Sequence, residues 1–128
     1  MIKQIYKKLV REKTRNELRN YLNRFISLFY WGDNLHCNCC NKHFRKFLSK
    51  GHLKRQNAQC PYCGSLERTR LLLFYLQNET TIFKKHARVL HIAPEVCLYN
   101  VLKKQDLEYI DGDINPALAN YVVDITAI

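Results

Sequence analysis

Apolar residues recur at spacings of three and four in the first part of the chain, which predicts an amphipathic helix over residues 2–29. This apolar stripe consists of Ile2, Ile5, Leu9, Leu18, Tyr21, Leu22, Phe25, Ile26 and Phe29. The charged run REKTRNE, residues 11–17, interrupts the stripe, so one helix with a solvated middle and two helices both fit. A stripe of this kind usually packs on its own domain. Binding to a membrane surface is the less favoured alternative, because the apolar face is interrupted where Lys and Arg are densest. The tetrapeptide WGDN, residues 31–34, predicts a turn.

Short elements follow residue 65, and their order predicts the class of the fold. The pattern predicts a helix, a strand, a helix and two strands at residues 66–78, 88–92, 96–105, 108–113 and 120–125. Ser65 precedes the first of these helices and would cap it. Pro94 cannot lie within a central strand, so it ends the first strand. Strand, helix and strand in close succession form a βαβ unit, the beginning of a parallel sheet.

Two arginines lie on the predicted helix 66–78. Arg68 and Arg70 are two positions apart and therefore point about 200° apart around the helix axis. They cannot share one partner, so we expect one to face the sheet or the cysteine-rich segment and the other to face solvent.

Five of the six cysteines lie between these two regions, and four of them have the spacing of metal ligands. Cys37 and Cys40 form one CxxC pair, Cys60 and Cys63 form another, and 19 residues separate the pairs. This spacing is typical of a zinc ribbon, in which each pair presents two sulfurs to one tetrahedral ion. All four positions are filled by protein, so the predicted zinc is structural.

Alternatives to this metal site remain at the sequence level. Two disulfides would need an oxidising compartment, and a thioredoxin-type redox pair would not need a second matched pair. Cys39 competes with Cys40 for the ligand position, because both belong to the run CNCC. His36 and His43 are further substitutes.

Charge is distributed unevenly along the chain. Residues 1–70 hold 16 Lys/Arg and four Asp/Glu, whereas residues 71–128 hold five and seven. The basic front half is either a solvated surface or a binding surface for a polyanion such as RNA. Phe44 and Phe47 lie among basic residues between the two CxxC pairs. They would either stack on bases or form the small core of the ribbon, and we favour the core.

The sequence contains no uncharged run of the roughly 18 residues that a membrane-spanning helix needs. The apolar patch from Phe25 to Trp31 is short and follows a charged segment, which is the reverse of the order in a signal peptide. We therefore expect no membrane span and a cytoplasmic location.

From Cys37 to its end the chain resembles bacterial class I S-adenosylmethionine-dependent methyltransferases that carry an N-terminal zinc-ribbon module. The matching segments are CNCCNKHFRKFL, CPYCGSLERTRLLLFYL, VLHIAPE, YIDGDIN and VVDIT. The resemblance implies an α/β fold, in which an N-terminal helix and a zinc ribbon precede the first βαβ part of a Rossmann-like parallel sheet. The chain is then divided into an N-terminal basic amphipathic helix region (residues 1–34), the zinc ribbon with its following helix (35–80) and a partial Rossmann-like domain that binds S-adenosylmethionine (81–128).

The resemblance also implies roles for five residues at the ends of the strands. Asp113 would bind the ribose of S-adenosylmethionine, Asp124 its adenine amino group, and the turn Ala93-Pro94-Glu95 would face the methionine end. The spacing supports part of this, since Asp113 follows His91 by 22 residues and ends a predicted strand. His91 itself lies within a strand and fits a core residue.

The sequence ends after the third predicted strand, whereas the family's sheet has about seven. We therefore expect an incomplete domain: a fragment, one half of a split enzyme whose partner chain completes the sheet, or a decayed gene product. Its expected partners are S-adenosylmethionine and an unknown acceptor. The isolated chain would bind the cofactor weakly or not at all and transfer no methyl group. The alternative is a zinc-ribbon module that binds nucleic acid or protein without catalysis.

Overall fold

The structure is a computed structural model that describes residues 12–127. The part of the predicted N-terminal helix at residues 1–11 lies outside the described residues. In chain order the elements are α1 (Glu12–Leu28), β1 (Trp31–Cys37), β2 (Lys42–Phe44), β3 (Leu48–Lys50), β4 (Arg55–Gln59), α2 (Glu67–Asn78), β5 (Ala87–Ile92), α3 (Val96–Leu102), β6 (Leu107–Asp113) and β7 (Tyr121–Val122).

Helix α1 packs on the rest of the protein through its polar side. Ser27 is buried and Asn16 and Asn23 are half-buried, and steps of seven and four residues place these three on one face. On the opposite face Leu22 and Phe25 are 54% and 67% exposed. The expectation that the apolar stripe packs on its own domain is therefore wrong for the described part of the helix.

Two small antiparallel sheets form the ribbon. One consists of β1 and β2 and the other of β3 and β4. The predicted turn at residues 31–34 is wrong, because these residues belong to β1, where an irregular register accommodates them. Strand β1 lies close to Arg45, the residue after β2, because Gly32 has no side chain. A Cβ at position 32 would lie 2.7 Å from the Cβ of Arg45.

Cysteines and phenylalanines form the core of the ribbon. The buried cluster consists of Cys37, Phe44, Phe47 and Cys60. The rings of Phe44 and Phe47 meet edge to face with centroids 5.9 Å apart, a favourable aromatic geometry. The interpretation of these two phenylalanines as the core of the ribbon is confirmed, so neither ring is available for stacking on a base.

A parallel sheet of three strands follows the ribbon, in the order β5-β6-β7. Leu98 and Leu102 of α3 and Leu73 of α2 form a buried cluster against one face of this sheet. On the other face Leu90 is 61% exposed. The mixed α/β class and the parallel βαβ unit are as predicted, although α3 and β7 are shorter than the ranges 96–105 and 120–125.

Both arginines of α2 have partners. The Arg70 guanidinium lies 4.6 Å from the centroid of the Phe47 ring and donates to the carbonyls of Ser65 and Ala58 at 2.6 and 3.2 Å. Arg68 donates to Glu95 Oε1 at 2.9 Å. The two side chains do point to different partners, Arg70 to the ribbon and Arg68 to the turn after β5. The expectation that one faces the ribbon and the other solvent is confirmed, since the Arg68 side chain is 76% exposed, although it also pairs with Glu95.

Replacement of these arginines should give unequal losses of stability. We expect Arg70→Ala to lower the free energy of unfolding by about 1.5–3 kcal/mol, because charge-assisted hydrogen bonds and ring packing are lost together. Arg68→Ala should cost less than about 1 kcal/mol, because its ion pair is largely exposed. Urea denaturation of both variants measures the difference, and an equal loss would contradict this assignment.

Candidate metal centre and adjoining cleft

The four cysteines of the two CxxC pairs meet at one point of the ribbon. Their sulfurs all lie within 4.8 Å of one another. The Sγ atoms of Cys37 and Cys63 are 3.7 Å apart, and those of Cys40 and Cys60 are 3.8 Å apart. A tetrahedral ion with metal–sulfur distances of about 2.3 Å holds its sulfurs about 3.8 Å apart. The cluster therefore has the size of a four-thiolate metal site.

Each CxxC pair lies on a tight turn that ends in a left-handed residue. The residue after Cys40 is Asn41 with φ 54°, and the residue after Cys63 is Gly64 with φ 72°. The N–H of each donates to the carbonyl of the first cysteine of its pair, at 2.8 and 3.0 Å. Gly and Asn adopt this conformation at lower cost than other residues. The two turns are thus matched in backbone and in chemistry.

The sequence predicted that Ser65 caps α2. This prediction is wrong, because the Ser65 hydroxyl faces the sulfurs. The helix begins after Leu66 without a capping side chain. The Ser65 Oγ lies 3.1 Å from the sulfur of Cys63 and 3.3 Å from that of Cys37. The Cys63 sulfur donates to the Ser65 hydroxyl, and the one proton of that hydroxyl is left to donate to the Cys37 sulfur. Hydrogen bonds of this kind orient metal ligands.

The close packing of the thiols separates their pKa values. Hydrogen bonds from Cys39 and then Cys40 lower the pKa of Cys37 below the ordinary thiol value. Contact with Cys37 raises the pKa of Cys40 and of Cys60. The bond with Cys37 also raises the pKa of Cys63, but bonds with Cys40 and Cys60 outweigh it and lower the value to about 7. A bound cation would replace the shared protons and hold all four groups as thiolates.

The other side chains considered as ligands lie outside the four-sulfur cluster. Cys39 packs against both the ribbon core and the second core, which contains Leu73, and it hydrogen bonds to Cys37 without belonging to the group of four sulfurs. The His36 Nε2 is 2.9 Å from the side-chain oxygen of Asn41, and the His36 ring lies 4.7 Å from the ring of His43. Both histidines are exposed. All six cysteines are unbridged, so the disulfide alternative has no support in the geometry.

A polar cleft of about 820 Å³ opens beside the cluster, at the carboxyl ends of the parallel strands. Its walls come from the polar face of α1, the second CxxC turn, the first turn of α3 and the loop between β6 and β7. The lining side chains include Asn16, Asn20, Asn23, Arg68, Glu95, Tyr99, Asn100, Asp111 and Asn120. The polar face of α1 thus turns inward because it forms one wall of this cleft.

Glu95 connects the ribbon to the turn after β5. Arg68 donates to its Oε1 at 2.9 Å, and the buried Thr69 donates to its Oε2. Both carboxylate oxygens are therefore held by α2, and Glu95 also lines the cleft.

The turn after β5 is compact without glycine. Ala93 has φ 50°, a left-handed conformation that costs a non-glycine residue roughly 1–2 kcal/mol. Its N–H donates to the carbonyl of Gly112 at 2.8 Å, which ties the turn to β6. Pro94 and Glu95 follow at the edge of the cleft. The structure therefore places Pro94 and Glu95 of the predicted turn at the cleft.

The two aspartates predicted at strand ends, Asp113 and Asp124, accept hydrogen bonds from the residue two positions further along the chain. Asp113 Oδ1 accepts the N–H of Asn115 at 2.8 Å, and its side chain is half-buried. Asp124 is exposed, and Oδ1 accepts both the N–H and the hydroxyl of Thr126 at 2.9 and 2.6 Å. The hydrogen bond from the Thr126 hydroxyl, the stronger of the two causes, lowers the pKa of Asp124. Neither aspartate is among the residues that line the cleft.

Asp111 lines the cleft and was missed by the sequence analysis. It is 5% exposed, and its carboxylate accepts the backbone N–H of Asn120 at 3.2 Å and the side-chain amide at 2.7 Å. A buried carboxylate needs such partners. An aspartate inside a predicted strand, two residues before the strand end, was the signal that could have identified it.

His91 belongs to the core of the sheet. Its Nδ1 is 2.8 Å from the Tyr109 hydroxyl. Burial lowers the pKa of His91 and raises that of Tyr109 to about 12. The half-buried imidazole is thus paired by a hydrogen bond with the Tyr109 hydroxyl, as a satisfied interior residue would be.

Comparison of the chain with protein-family models, with curated proteins and with solved structures returns no significant match. Within residues 12–127, every helix is too short or too polar to cross a membrane.

The geometry predicts which cysteines hold the metal. We expect the purified chain to contain about one metal ion and Cys60→Ser to contain almost none, because a tetrahedral site loses one of four ligands. Cys39→Ser is the matched control and should keep the metal. Elemental analysis by plasma mass spectrometry measures both. Loss of metal from Cys39→Ser together with retention in Cys40→Ser would reverse the assignment.

Proposed function

We propose that the chain binds a structural zinc ion in its ribbon and S-adenosylmethionine in the adjoining cleft, as the cofactor-binding part of a class I methyltransferase. The methyl acceptor is not assigned. The observation that supports this best is the cleft at the carboxyl ends of a parallel βαβ sheet, which is lined by carboxylate and amide side chains.

The ligand set supports zinc as the metal. Four cysteine sulfurs at tetrahedral separation, on two matched CxxC turns, are the donors that structural zinc sites use. Oxygen-preferring ions such as magnesium and calcium do not favour thiolates. With four protein ligands no coordination position remains for a substrate, so the ion would stabilise the ribbon and take no part in the reaction.

The position of the cleft supports a nucleoside-type ligand. In open α/β sheets, ligands bind in the crevice beyond the carboxyl ends of the strands. Here that crevice is lined by the buried carboxylate of Asp111 and by the amides of Asn16, Asn20 and Asn23. Amides and carboxylates provide the donors and acceptors that hydroxyl and amino groups of a nucleoside need.

The residues implied by the family resemblance would have distinct roles. Asp113 lies at the carboxyl end of β6, outside the lining of the cleft, so the ribose would extend past the cleft edge for its hydroxyls to donate to this carboxylate. Asp124 would accept from the adenine amino group. Ala93, Pro94 and Glu95 would border the methionine end, with Glu95 already held by Arg68. The bound cofactor would supply the methyl group, and these residues would bind and orient it.

Methyl transfer also needs an acceptor atom held about 3 Å from the methyl carbon. We assign this positioning role to no side chain between residues 12 and 127. We therefore expect the 128-residue chain to bind the cofactor without turnover.

Calorimetric titration of the zinc-loaded chain with S-adenosylmethionine tests the proposal. We expect a dissociation constant between about 10 μM and 1 mM, or roughly −7 to −4 kcal/mol, because one face of the sheet stays open to water. Asp113→Asn should weaken binding by about tenfold, a loss of roughly 1.4 kcal/mol. Asp106→Asn is the matched control, since the Asp106 side chain is 92% exposed and precedes β6 at its amino end, opposite to Asp113 at the carboxyl end.

Three outcomes would contradict parts of this proposal. No heat of binding at millimolar cofactor would overturn cofactor binding by this chain and favour the alternative of a zinc ribbon that binds nucleic acid or protein. Equal weakening by Asp106→Asn would remove the specific role of Asp113. Binding tighter than about 10 μM, or turnover with any acceptor, would show that the described sheet suffices.

A further inference from the structure

Helix α1 turns an apolar face to solvent along most of its length. Leu18, Tyr21, Leu22, Phe25 and Leu28 share this face, and all five are exposed. The face continues past the helix end through Phe29 and Trp31, which are exposed by 76% and 73%. The opposite, polar face of the helix forms one wall of the cleft.

A groove extends this apolar face onto the ribbon. The groove has a volume of about 620 Å³ and separates α1 from β1 and β2. Its lining includes Tyr21, Phe25, Leu28, Trp31, Phe44 and Tyr62, together with Arg24 and Lys42. Helix and groove thus form one continuous surface, which we call the α1 face.

Cationic side chains border the α1 face. Arg24 lies 5.8 Å and Lys42 4.7 Å from the centroid of the Tyr62 ring, so both charges are held at the rim of the groove. Residues 12–64, which form α1 and the ribbon, carry ten Lys/Arg and three Asp/Glu. The part of the protein that carries this apolar surface therefore has a strong positive charge.

We propose that the α1 face binds the surface of a bilayer that contains anionic lipids, with α1 parallel to the membrane plane. Aliphatic and aromatic side chains on one face of a helix, with cations beside them, are the features of interfacial helices. The leucines would insert among acyl chains, and Arg24 and Lys42 would contact lipid phosphates. This inference is independent of the proposed cofactor.

Charge and side-chain type favour a lipid surface over other occupants. A second copy of the chain would bring two surfaces of the same positive sign together, which opposes association. Nucleic acid would satisfy the cations but not the aliphatic side chains Leu18, Leu22 and Leu28, because single strands bind to flat rings that stack on bases. An anionic bilayer satisfies both the charge and the apolar area.

Trp31 gives a direct readout. It is the only tryptophan of the chain, and it lies at the end of the α1 face, where indole rings prefer the membrane interface. Its emission should move to shorter wavelength when the zinc-loaded chain meets vesicles of phosphatidylglycerol and phosphatidylcholine. Vesicle flotation should recover the chain in the same samples. Phosphatidylcholine vesicles alone should give at least about tenfold less binding, because each cation near an anionic surface contributes about 1 kcal/mol.

A double substitution tests the face itself. Leu22→Ser with Phe25→Ser should lower binding to the anionic vesicles by at least about tenfold, because two large apolar side chains no longer insert. Both residues are exposed, so the fold should be retained. Leu53→Ser is the matched control, because Leu53 is 84% exposed on the ribbon, outside the α1 face, and its replacement should leave binding unchanged.

Several results would overturn the lipid assignment. Binding that is equal for neutral and anionic vesicles, or that survives the double substitution, would do so. Concentration-dependent dimerisation that the double substitution abolishes, without vesicle binding, would identify a second copy as the occupant. If the chain binds single-stranded RNA but not vesicles, and the double substitution abolishes RNA binding, nucleic acid is the occupant of the α1 face.

Discussion

Four sulfur atoms held within 4.8 Å of one another are the constraint on which the front half of this protein depends. The ribbon around them has a buried core of only two cysteines and two phenylalanines, too little apolar area to stabilise so small a unit alone. Four thiolates this close repel one another unless a cation lies between them. Metal binding and folding of the ribbon are therefore expected to be one event, which is the physical reason for proposing a structural zinc ion.

The rest of the structure is connected to this cluster through α2. Asn38, inside the first CxxC turn, donates to the carbonyl of Arg70 at 2.9 Å, and the Arg70 side chain returns to the carbonyl of Ser65 at 2.6 Å. Arg68 and Thr69 on the same helix hold the carboxylate of Glu95 at the turn after β5. The cleft lies between these connected parts, so its shape depends on the order of the ribbon. Polar groups on α1 complete its wall, and the apolar side of that helix is left facing outward as a consequence.

Sequence reasoning predicted the parts of the fold that local patterns specify. The two CxxC pairs and the strand–helix–strand order were sufficient for a four-cysteine cluster and a parallel sheet. The orientation of α1 was not predictable, because periodicity identifies an apolar stripe but not which side of the helix finds a partner. Ser65 was assigned to a helix end because a capping serine and a serine that bonds to sulfur look the same in sequence. Asp111 was missed because its partner Asn120 comes from a loop, and only the tertiary structure brings the two together.

X-ray absorption at the zinc edge of the purified chain tests the central claim most directly, because it reports the atoms that bind the metal. The four-cysteine cluster predicts a shell of four sulfurs at about 2.3 Å with no nitrogen or oxygen neighbour. A shell of three sulfurs and one nitrogen at about 2.0 Å would contradict it, since a histidine such as His36 or His43 would then replace one cysteine. Absence of zinc from chain purified without chelator would contradict the claim altogether.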